Sequence, residues 1–146
     1  MEKMVRITNG NSNNSVIIEQ LELFTEEKNV QSVINVLELV INTPGYINLD
    51  FADIINVAKD NNAYSVNYMK IKKPDLYRLA EEEISVKGIL ISLSVPSSAT
   101  LDMIDEYLST LKPNFGDATI LLGTSFSDNV NEIEAEILEF YQSNDK

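Results

Sequence analysis

Apolar residues recur at spacings of three and four from Val30 through Val33, Ile34, Leu37, Val40 and Ile41, which predicts a helix. Thr25 is the expected cap, Glu26 and Glu27 suit its positive amino end, and Pro44-Gly45 ends it. A second, shorter helix is predicted by Phe51, Ile54, Ile55 and Ala58, closing at Lys59-Asp60-Asn61-Asn62, with Asn48 or Asp50 as its cap. Tyr64, Val66 and Tyr68 alternate with Ser65, Asn67 and Met69 as in a strand, and Pro74 then opens a helix carrying Leu76, Leu79, Ala80 and Ile84. The β-rich run 88–95 stops at Pro96, and Leu101, Ile104, Leu108 and Leu111 mark the next helix before Pro113. Residues 118–123 form a further apolar strand. In the last segment, Ile133, Ala135 and Ile137 alternate with glutamates, yet Val130, Ile133, Ile137 and Phe140 also fit a helix. Periodicity leaves that segment open.

Before the first helix the pattern weakens. Residues 8–15, rich in Asn and Ser, are a polar loop or linker, and residues 16–24 fit neither period cleanly. The expected organisation is an amino-terminal extension over 1–24, partly flexible, followed by one domain over 25–146. Strands alternating with helices place that domain in the α/β class.

The length of 146 residues suits a single core. Lys and Arg number 11 against 23 Asp and Glu, a formal charge of −12, which disfavours phosphate backbones and anionic lipid surfaces as partners. Residues 1–73 hold 7 basic and 9 acidic side chains, whereas residues 74–146 hold 4 and 14, so the acidity lies in the second half. With no Cys and no His, disulfides, thiolate or imidazole metal sites and the usual nucleophile–base pairs are excluded, and carboxylates remain as the acid–base groups. Glu81-Glu82-Glu83 would fan out around a helix, and Asp102, Asp105 and Glu106 share a helical side without the further ligands a hard cation needs; both read as solvated faces. No metal is expected. The amino end reaches the polar run at Thr8 before an apolar segment of secretory length can form, so a cytoplasmic location is expected and the Asn13-Asn14-Ser15 sequon is read as a polar loop.

The five glycines, at 10, 45, 88, 116 and 123, are too scattered for a phosphate-cradling loop, and no cofactor is expected. The junction between the first two helices is more specific. Pro44-Gly45-Tyr46-Ile47-Asn48-Leu49-Asp50-Phe51-Ala52-Asp53 resembles, position for position, the loop that follows the central helix in FtsZ, the bacterial tubulin homologue. Weaker similarity continues through residues 88–95, 119–124 and 132–138, and the last of these settles the ambiguous end as a strand. The likeness spans roughly residues 28–140, the end of the family's central helix plus its carboxy-terminal, activation domain. Two stretches depart: residues 64–69 lack the family's glycine, and Val95-Pro96-Ser97-Ser98 replaces its Gly-Gly. The family's GTP-binding domain and glycine-rich phosphate loop have no counterpart in these residues.

The resemblance implies a two-layer α+β sandwich, with a mixed sheet of about four strands covered by helices and preceded by a helix. It also implies that Asn48, Asp50 and Asp53 enter the nucleotide pocket of a neighbouring subunit, where the two carboxylates orient the attacking water in trans. Alone, the chain is not expected to be an enzyme. The expected partner is an FtsZ/tubulin-like GTPase subunit or filament, bound or modulated through the 48–53 loop, with a homodimer as a further possibility and neither nucleic acid nor membrane. Three alternatives stay open: Asn48 and Asp50 serving only as helix caps; a repurposed α/β module for ligand binding or dimerisation; and one half of a split or truncated GTPase.

Overall fold

The computed structural model describes residues 2–9, 19–42, 45, 47, 49, 51–60, 65–71 and 85–142. Strands β1 (Glu2–Asn9) and β2 (Glu19–Glu26) precede helices α1 (Val30–Asn42) and α2 (Phe51–Asp60); then come β3 (Ser65–Ile71), β4 (Ser85–Val95), α3 (Leu101–Leu111), β5 (Thr119–Phe126) and β6 (Glu134–Gln142). The strands form one mixed sheet in the order β1-β2-β3-β6-β4-β5. Four of them, β3-β6-β4-β5, are tightly paired: β6 runs antiparallel to β3 and β4, and Gly88–Val95 of β4 lies parallel to the whole of β5. The hairpin β1–β2 is added beside these four, and β2 meets β3 at a single register pair, Phe24 beside Ser65. The α/β class and mixed sheet read from the sequence are the architecture, with six strands where about four were expected.

Helices lie on both faces because β4 and β6 are apolar at consecutive positions. Leu90, Leu138 and Phe140 pack with Val33, Val36, Leu37 and Val40 of α1 and Ile54 and Ala58 of α2. Ile89, Ile91, Leu93 and Ile137 point the other way, against Ile104, Leu108 and Leu111 of α3 and against Phe115. Apolar burial on both sides is what lets the parallel β4–β5 pair stand, since such strands need cover on each face. Thr100 caps α3, its side chain accepting from the Met103 amide at 3.2 Å.

One start signal is corrected. Thr25 does not cap a helix: it lies in β2 opposite Lys3, fully buried, and α1 begins at Val30 after a short turn over Glu27–Asn29. Leu23 and Thr25 alternate inward with Val5 across the hairpin, so pairing with β1 extends the strand past the cap signal. Residues 16–24, open in the sequence, contribute strand from Glu19 onward. The helix expected after Pro74, the sequon and the Glu81-Glu82-Glu83 run lie outside the described residues. Asp102, Asp105 and Glu106 are exposed on α3, and among the described residues no three carboxylates gather as metal ligands.

Candidate interaction site

The loop between α1 and α2 is fastened to the outer edge of β5. Gly45 lies against Thr124 so closely that a Cβ there would fall onto the Thr124 carbonyl and within 2.8 Å of its Oγ1. Only a residue without a side chain fits such an approach. Two residues on, the Thr124 amide donates to the Ile47 carbonyl at 2.8 Å and the Ile47 amide donates to Thr124 Oγ1 at 2.9 Å. The Leu49 amide then donates back to the Val40 carbonyl on α1 at 3.3 Å. Alternate positions 45, 47 and 49 are thus tied down, and these contacts occupy β5 backbone groups that an edge strand would otherwise leave open.

Gly123, next to Thr124, serves the same junction from beneath. A Cβ there would press on Val40 at 3.1 Å and meet Leu49 at 3.5 Å, so its absence lets α1 and the loop lie close over β5. Val30, Ile34, Leu39 and Ile41 are half-buried and the other apolar residues of α1 fully so; the helix face exposed to solvent carries Gln31, Asn35 and Glu38.

Of the three site residues expected from the sequence, Asp53 is described: it stands exposed in the first turn of α2, where a carboxylate also favours the helix's positive end. Asn48 and Asp50, and with them the capping alternative, lie outside the described residues, between the anchored positions 47 and 49 and the start of α2 at Phe51. The structure adds Thr124 and Gly123, which pattern reading missed. Thr124 sits 77 residues from Ile47 along the chain, and no periodicity carries information over that separation. The signal within reach was the pair of glycines at 45 and 123, each at an element boundary or within a strand, where close backbone approach is the usual reason.

Three large apolar side chains of the loop, β5 and α3 are exposed. Ile47 in the loop, Phe126 at the end of β5 and Leu101 at the start of α3 are exposed, at 36%, 41% and 54%. Strands β4 and β5 finish together, with Val95 beside Phe126 and the Ser127 amide donating to the Val95 carbonyl at 2.9 Å.

Elsewhere the polar groups on the sheet are structural. On the α1 face Tyr68 donates to Glu136 at 2.6 Å, and burial followed by that carboxylate raises its phenol pKa well above the ordinary value. On the α3 face Glu139 is fully buried and accepts from Asn67 Nδ2 at 3.1 Å. Tyr107 of α3 is pushed up to about 12, mainly by burial and then by Glu134 and Glu132.

No family model matches the chain. The mitochondrial division protein fszB of Dictyostelium discoideum is 25% identical over 153 residues, covering 89% of this chain and 40% of that protein. Among solved structures, an FtsZ dimer from M. jannaschii superposes with a TM-score of 0.58 at 20% identity over 80% of this chain and 38% of the other. A point variant of M. jannaschii FtsZ gives 0.54 at 19% identity over 79% and 38%. The chain spans about two-fifths of the length of the proteins it matches. In sequence and in fold, it resembles the carboxy-terminal domain of the FtsZ/tubulin family.

Proposed function

We propose that the chain is a non-catalytic module that docks its 48–53 loop on the nucleotide-bearing end of an FtsZ-type subunit and thereby modulates a division polymer. The observation that carries this reading is the clamp on the loop: Gly45 against the Thr124 backbone, and Ile47 bonded twice to Thr124. A segment serving only as a connection between helices has no need of three tied positions. Held this way, the loop costs less ordering entropy on binding, which is how preorganised contacts gain affinity. The exposed Ile47, Phe126 and Leu101 offer the apolar anchors that a docking face uses.

In this reading Asn48, Asp50 and Asp53 face the partner's nucleotide, and Asp50 and Asp53 orient water in trans. Phosphoryl transfer runs mainly on positioning and electrostatics, so two carboxylates suffice only where the partner supplies nucleotide and metal. Val33, Val36, Leu37 and Val40 of α1 are buried within this chain, whereas Val30, Ile34, Leu39 and Ile41 are half-buried, so a second chain completing the fold stays open as the alternative.

Sedimentation of an FtsZ-type polymer with increasing amounts of this chain tests the proposal. Substoichiometric amounts are expected to reduce the pelleted fraction. Pelleting unchanged at equimolar protein would overturn it.

A further inference from the structure

The sheet has two ends. At β5 the edge is engaged by the loop, whereas β1 has β2 as its one strand neighbour among the described residues. On the hairpin's inner face Val5 and its partner Leu23 are buried; on the other face the partners Met4 and Phe24 are exposed, at 46% and 40%. A large apolar side chain therefore sits in water at position 4 of an open edge, continuous with a second one at position 24.

Charge distinguishes the two edge strands as well. Residues 2–9 hold Glu2, Lys3 and Arg6, a net of +1 in a chain of −12, against no charge in β5 at the other edge, so of the two edge strands β1 itself repels an acidic second copy less, although β2 beside it carries three glutamates. Antiparallel pairing of β1 with itself centred on Met4 sets Glu2 opposite Arg6 at both ends and Met4 opposite Met4 on one face, with Lys3 opposite Val5 on the other. Centred on Val5, it would set Met4 opposite Arg6; centred between them, Lys3 would face Arg6. The Met4-centred register also keeps like faces together, so that Phe24, Met4 and their symmetry mates run as one apolar strip across the joined sheets.

We propose that β1 is a homodimerisation edge, pairing two copies of this chain antiparallel about Met4 into one continuous sheet. The contact is small, one strand of eight residues per copy, and its strength is accordingly concentration-dependent. It leaves the loop at the far edge free, so it stands or falls separately from the proposed function.

The absence of cysteine makes a clean test possible. In sedimentation equilibrium of the full chain, the mass should rise with concentration from 16.4 kDa towards twice that value. Glu2→Arg should hold it at the lower mass, and Glu2→Arg with Arg6→Glu should restore the rise. As the single cysteine, Met4→Cys should be captured as a disulfide dimer on mild oxidation far faster than Ser98→Cys, placed at an exposed site in the β4–α3 connection. A mass that stays at 16.4 kDa, a dimer indifferent to Glu2→Arg, or equal capture at positions 4 and 98 would each overturn the proposal.

Discussion

Gly45 and Thr124 form the most sensitive pair of residues in this account. In Gly45→Ala the new methyl lands on the Thr124 carbonyl, and backbone cannot yield as a flexible side chain can. Overpacking of this kind costs about 1–3 kcal/mol, read as a lower urea midpoint with an unchanged slope. Thr124→Val keeps the shape and removes the acceptor for the Ile47 amide, at about 1 kcal/mol, and Thr124→Ser should recover most of it. If Gly45→Ala were as stable as the parent, the loop would not be clamped in the way described.

Two tyrosines carry a pH dependence. Tyr107, at about 12, and Tyr68, higher still, both lose their protons less readily in the fold than the ordinary 10.0. The native state therefore holds protons that the unfolded chain has released, and stability is full below pH 10 and falls as pH rises through 12. Stability measured across that window should decline less steeply in Tyr68→Phe and Tyr107→Phe. Identical slopes would show that neither phenol is held this way.

At the scale of elements, the boundaries that the sequence made plain are those set by local chemistry. α1 ends at Asn42, just ahead of the Pro44-Gly45 stop signal, the helix marked by Leu101, Ile104, Leu108 and Leu111 is α3, and the alternation over 65–69 lies in β3. What it did not make plain depends on pairing across distance. Thr25 carries a sound capping signal, yet β1 holds it in a strand, because partners more than 20 residues away decided its conformation. The hairpin leaves no local signal for the same reason: two short apolar runs flank a polar stretch, and neither is periodic enough alone. Its attachment at one register pair has a dynamic consequence. Amide exchange should be fast in β1 and β2 and slow in β4 and β6, which are paired on both sides and buried. Equal protection across all six strands would contradict that division.

For the whole molecule, the family-like loop was legible because its ten residues are contiguous, while the device that holds it was not, because it joins positions 45 and 47 to position 124. The α/β class followed from strand–helix alternation and the sheet of about four strands from the family resemblance, whereas the cover on both faces emerged only from which residues of β4 and β6 point which way. The resulting picture is a domain whose α1 buries Val33, Val36, Leu37 and Val40 within the chain and whose loop stands anchored at one end, beside exposed apolar side chains. The formal charge of −12 adds a condition: docking on an acidic partner should tighten as salt rises and repulsion is screened.

The most direct measurement is the GTPase rate and pelleting of an FtsZ-type protein with this chain added, wild type beside Asp50→Ala/Asp53→Ala. Wild type should change one or both signals, and the double variant, folded to the same stability, should change neither. An effect that survives in the double variant, or no effect from wild type, would contradict it and take the function away from the loop.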